Sequence, residues 1–109
     1  MKNWVNVLAA AVASVLLCGC FRQDVRTLEI RITNMGSQEC FKIIQSALNR
    51  VEGIISVEPD LPNRKVTVTY NSTKVAVKNI EYVITGLGFE ANDNPGKADA
   101  RERLPADCR

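Results

Sequence analysis

Histidine is absent from the 109 residues of this chain. Ser-His-Asp and Cys-His catalysis are therefore excluded, as is any imidazole metal site. A transition metal here must be held by sulfur and oxygen. Aromatic residues are scarce at 6%, and the sequence holds no Cys-x-x-Cys pair, no glycine-rich phosphate loop and no convincing carboxylate pair. An enzyme is thus the class with least support, and the expectation is that this protein is not one. Charge of one sign is also missing: 14 Lys and Arg face 12 Asp and Glu, with no basic stripe and no acidic tail. Nucleic-acid binding has no electrostatic footprint in such a chain. A long apolar run is lacking too. Trp4 to Leu17 is apolar apart from Asn6 and Ser14, which falls short of the ~20 residues of a membrane-spanning helix. The length allows one small domain and excludes separate cofactor and substrate domains.

What is present begins with residues that read as an export signal. Lys2 supplies a short positive region ahead of the apolar run. The run ends in Leu17-Cys18-Gly19-Cys20, which resembles the lipobox of bacterial lipoproteins, where a small residue precedes an obligatory cysteine. Cys20 fits that register, whereas Cys18 would put bulky Leu17 at the cleavage site. The resemblance implies that Cys20 becomes the lipidated mature N-terminus, holding the protein to the membrane by more than one acyl chain. Phe21 follows, not the Asp of inner-membrane retention, which favours the periplasmic side of the outer membrane. The expected organisation is a signal peptide over 1–19, a tether over 20–26, a domain over 27–92 and a tail over 93–109.

Within the domain one arrangement occurs twice. Leu28, Ile30 and Ile32 alternate with polar residues, as a strand with one apolar face does. The spacing of Phe41, Ile44, Leu48 and Val51 predicts a helix from about Gln38 to Glu52, with Ser37 as N-cap and Gly53 just past the end. Ile55, Val57 and Pro59 suggest a second strand, Asp60 to Arg64 a turn, and Val66, Val68 and Tyr70 a third strand. A second helix from about Val75 to Leu87 carries Ile80, Val83, Ile84 and Leu87 on one stripe and is closed by Gly88. Phe89 and Ala91 begin a short fourth strand. The order is β-α-β-β-α-β, an α+β fold: the ferredoxin-like two-layer sandwich, with the outer sheet face wet. Its topology brings the loop Asn34 to Cys40 beside the segment Gly86 to Phe89.

These residues resemble those of the heavy-metal-associated domain family, which includes copper chaperones and the periplasmic mercury-binding protein. The family's loop reads Gly-Met-x-Cys-x-x-Cys after the first strand, and its second half ends in Leu-Gly-Tyr/Phe. The corresponding residues here are Asn34-Met35-Gly36-Ser37-x-x-Cys40 and Leu87-Gly88-Phe89. The resemblance runs from about Thr27 to Asn92. Together with the lipobox, it implies an envelope protein that binds or passes a soft metal ion, foremost Cu(I), and exchanges it with a metal-donor or metal-acceptor protein. Two thiolates suit such an ion because soft metals prefer soft sulfur. Ser37 stands where the first ligand belongs, and its hard hydroxyl is a poor substitute. Cys40 matches the second.

Two uses are open for Cys40. At the third position of a helix, free N–H groups and the helix dipole favour a thiolate. The same residue also lies on a stripe with Ile44, Ala47 and Val51, as a small core residue would. Met35 and Phe89 read as packing. The tail ends with Cys108, the only other thiol once Cys18 and Cys20 are accounted for. From Asn92 an extended chain spans ~50 Å, against ~20 Å for one strand length, so Cys108 can reach Cys40. The pair can jointly ligate a metal or form a disulfide in an oxidising periplasm. Met35, or Cys40 of a second copy in a homodimer, are the other candidate ligands. The remaining alternative is an interaction module of the same fold without metal.

Overall fold

The computed structural model describes residues 24–109. The expected signal peptide, Cys18, Cys20 and the first part of the tether lie outside the described residues. Strand β1 (Val25–Arg31) is followed by helix α1 (Gln38–Leu48), strands β2 (Ile54–Asp60) and β3 (Lys65–Asn71), and helix α2 (Val77–Gly86). A four-residue helix α3 (Ala98–Arg101) and a 3₁₀ turn (Ala106–Cys108) complete the chain. The sheet order is β1-β3-β2, with both pairings antiparallel. This is the expected ferredoxin-like order, with helices on one face and the other face wet.

Alternation sets the core. Ile30 and Ile32 from the first strand region, Val57 from β2, and Val66, Val68 and Tyr70 from β3 are buried. They meet Phe41, Ile44 and Leu48 of α1 and Ile80 and Ile84 of α2. Strand β1 starts earlier than expected, because Val25 and Arg26 pair with Asn71 and Tyr70. In β2 the register shifts between Ile54 and Ser56. That irregularity turns Ile55 outward, 56% exposed, where simple alternation with Val57 had put it on the core face.

One of the two helices closes on its expected glycine; the other does not. After α2, Gly88 takes φ 101°, its N–H bonds to the Thr85 carbonyl at 3.0 Å, and the Phe89 N–H reaches the Ile84 carbonyl at 3.3 Å. These two bonds form a Schellman motif, available to glycine because no Cβ resists positive φ. Helix α1 is shorter than expected. Asn49 caps it, the chain turns through bonds from Arg50 to Ala47 and from Val51 to Leu48, and Gly53 at φ 100° lies in the turn just before β2, not at the helix end.

The fourth strand does not form as a ladder, which corrects the expectation at Phe89 and Ala91. Both residues are fully buried, but only one backbone group continues the sheet: the Asn92 N–H donates to the Arg31 carbonyl at 2.8 Å. Asn92 then adopts φ 53°. Its side-chain Oδ1, not a backbone carbonyl, accepts the Arg31 N–H at 3.0 Å. Asparagine tolerates this left-handed conformation, and the chain leaves the sheet through a tight Ala91–Asn94 turn. The outer edge of β1 from Val25 to Glu29 is thus left without a partner strand among the described residues.

The tail is docked rather than a loose terminus. Leu104 and Cys108 are buried in the main core cluster. The backbone of α3 lies against Gly88 so closely that a Cβ there would meet Arg101 N at 2.5 Å. Gly96 is equally hemmed in, a Cβ at that position falling 2.3 Å from the Gly88 carbonyl oxygen.

Candidate metal centre

The loop between β1 and α1 and the segment Gly88–Glu90 adjoin at one end of the sheet, as the topology required. The tail covers both. Met35, Cys40, Phe89 and Cys108 have no exposed surface. Met35 and Phe89 therefore pack, as their chemistry suggested.

Cys40 and Cys108 are joined in a disulfide, with Cα atoms 5.6 Å apart. The structure thus brings together the two thiols named from the sequence, 68 residues apart along the chain. In this state neither sulfur is free to ligate a metal. A contact between two copies through Cys40 likewise has no free sulfur to use.

Ser37 sits at the N-cap position with extended backbone (φ −150°, ψ 170°), yet its side chain makes no cap hydrogen bond. Its Oγ lies 3.3 Å from Cys40 Sγ. A disulfide sulfur carries no hydrogen, so the hydroxyl is the donor. The expected capping role is replaced by a contact with the sulfur. The first turn of α1 is instead started by the Phe41 N–H bonding to the Ser37 carbonyl at 3.3 Å.

Two residues that the sequence did not mark organise this end. Asn34 is the only polar residue in the core set among the described residues, 5% exposed. Its Nδ2 donates to the Cys108 carbonyl at 2.9 Å and to the Gly88 carbonyl at 3.2 Å. Its Oδ1 accepts the Glu90 N–H at 2.8 Å. Gly36 donates its N–H to the Asp107 carbonyl at 3.1 Å, and a Cβ on Gly36 would fall 2.3 Å from that oxygen. The available signal was the asparagine standing where the family pattern has glycine. No spacing rule links position 34 to position 108.

Polar contacts around the rim are exposed. Arg31 pairs with Asp93 at 2.9 Å and Arg101 with Glu90 at 3.9 Å, and surface pairs of this kind contribute ~0–1 kcal/mol. Thr33 hydrogen-bonds to Glu90 across the same rim. Among the described residues no group of three or more His, Cys, Asp or Glu side chains gathers, and no helix is long and apolar enough to cross a membrane.

Residues 29–90 match the pattern of the heavy-metal-associated domain. The chain belongs to that family. Over 75 residues it is 35% identical to human copper-transporting ATPase 2, covering 69% of this chain and 5% of that much longer protein. Over 61 residues it is 33% identical to the copper chaperone CopZ of Staphylococcus aureus, covering 56% of this chain and 90% of the chaperone. Among solved structures, a CopZ metallochaperone superposes with a TM-score of 0.59 at 29% identity, covering 61% of this chain and 98% of that one. Oxidised MerP from Ralstonia metallidurans CH34 gives the same TM-score at 20% identity, covering 62% and 94%; at that identity the likeness shows the fold. The match stops at residue 90, so the tail that covers the loop lies beyond the family's own domain.

Proposed function

We propose that this protein is an envelope lipoprotein that binds or passes a soft metal ion, Cu(I) foremost, through Cys40 with Cys108 as second ligand. Membership of the heavy-metal-associated family supports metal binding as its role, and its copper-chaperone relatives point to copper. The observation that carries the reading is the meeting of Cys40 and Cys108 at the family's loop. The sulfur lost at Ser37 is replaced from the tail. Metal binding follows reduction: a dithiol reductant gives two electrons and two protons to the disulfide and leaves as its own disulfide. Cu(I) then takes the place of the two thiol protons. Two thiolates are the soft donor set that such an ion prefers, and no imidazole is needed. Met35 is buried beneath the loop and available as a thioether only if the loop rearranges. The role is binding and exchange with a donor or acceptor protein, not catalysis.

The second reading is an interaction module whose disulfide is structural. The full burial of both sulfurs favours it. Anaerobic Cu(I) titration of the reduced protein separates the two. Metal binding predicts one tight equivalent per chain, lost in Cys40→Ser and in Cys108→Ser. Equal weak binding by all three proteins leaves the interaction module. The lipid anchor rests on the Leu17–Cys20 sequence, and fatty-acid labelling of cells that is abolished in Cys20→Ala tests it.

A further inference from the structure

The disulfide is not the only contact that seats the tail. Asn34 Nδ2 holds the Cys108 carbonyl at 2.9 Å, and the Gly36 N–H holds the neighbouring Asp107 carbonyl at 3.1 Å. Leu104 is buried, and α3 lies against Gly88. None of these contacts passes through sulfur. Asn34 also bonds the Gly88 carbonyl and the Glu90 N–H, so one carboxamide clasps the loop, the segment after α2 and the last turn of the tail. Both its donor hydrogens and its acceptor are used. Among the described residues no buried side-chain nitrogen or oxygen lacks a partner. A buried carboxamide satisfied from two other segments has one low-energy arrangement, since moving either leaves a polar group unpaired.

We infer that Asn34 is the positioning residue of a preformed intramolecular dithiol, keeping Cys108 over Cys40 in the reduced as well as the disulfide state. The two thiols then behave as a closed pair with a high effective concentration for each other. That favours the disulfide in exchange with small dithiols: one protein S–S bond breaks as one forms in the reagent, with two hydrogens passing to the protein. Where metal binds, and this part rests on the function proposed above, both ligands come from one chain and the complex is a monomer.

The test is the thiol–disulfide equilibrium of the protein in dithiothreitol buffers, followed by alkylation of free thiols. Asn34→Asp keeps the size but removes both donors, and Asn34→Ala removes the whole clasp. Each is expected to shift the equilibrium about tenfold toward the dithiol, which is ~30 mV for two electrons. A folded variant whose equilibrium equals that of the wild type overturns the assignment. Because the variants can fail to fold, the reduced wild type is also followed by amide-resolved NMR. The Asn34 side-chain amide and the Gly36 amide should stay protected, with shifts at 104–108 close to those of the oxidised protein. Collapse of that tail segment to coil shifts on reduction overturns the inference. Neither readout contains metal, so their failure is distinct from the absence of Cu(I) binding, which overturns the metal reading alone.

Discussion

The sheet with its two helices and the loop end with its tail are held by different physics. In the body, many residues each contribute a little: Ile30, Val66, Val68, Ile44, Leu48, Ile80 and Ile84 interlock across two layers, and the burial is repeated every second or fourth residue. At the loop end a few contacts carry the structure: one disulfide, one asparagine, and backbone brought against glycines 36, 88 and 96. Repetition makes the first region tolerant of exchange between apolar residues. Singularity makes the second sensitive to single atoms, and it is there that this chain differs from the pattern of its family.

The largest loss of stability is expected where the two regions meet. Phe89 is fully buried between them, and Phe89→Ala is expected to cost about 3–5 kcal/mol, read as a lower denaturant midpoint. Cys108→Ser removes a cross-link spanning 68 residues. Chain entropy assigns it on the order of 4 kcal/mol. Reduction of the wild type should give a similar drop in melting temperature, and reduction of the variant none. A melting temperature of the wild type indifferent to reductant would show that the cross-link itself adds nothing to stability beyond the contacts that seat the tail.

Gly88→Ala sharpens the contrast, since it adds one methyl to a residue at φ 101° whose Cβ would meet the Arg101 backbone. A loss of about 1–3 kcal/mol is expected, with faster proteolysis of the tail than of the body. An unchanged tail cleavage rate would place the strain in the helix end alone. The smallest effect belongs to Ser37→Ala. With no cap bond to lose, its thermal midpoint should move by less than the equivalent of about 0.5 kcal/mol, whereas a true side-chain cap would cost ~1 kcal/mol.

The same division governs what the sequence discloses. Strands and helices of the body are written in periodicity, so their order, their apolar faces and the closing Gly88 could be read one segment at a time. The bulge that turns Ile55 outward could not, because it depends on how β2 meets β3. Nor could the loss of the fourth strand: the apolar residues Phe89 and Ala91 fit a strand, and it is Asn92, folding its own side chain back onto Arg31, that ends the pairing. The thiols were found because cysteines can be counted and the chain between them measured. Asn34 was not, because its partners lie 54 to 74 residues away and are backbone groups, which leave no mark in a sequence.

The early exit at Asn92 has a cost borne by β1. From Val25 to Glu29 one row of N–H and C=O groups has no neighbour among the described residues, the template on which sheets of separate molecules join and aggregate. Arg26, Glu29 and Arg31 are exposed along that strand. Copies stacking there in register would oppose like charges and strip water from them. The interspersed charges that identified no ligand therefore weigh, on this one edge, against pairing with an identical strand.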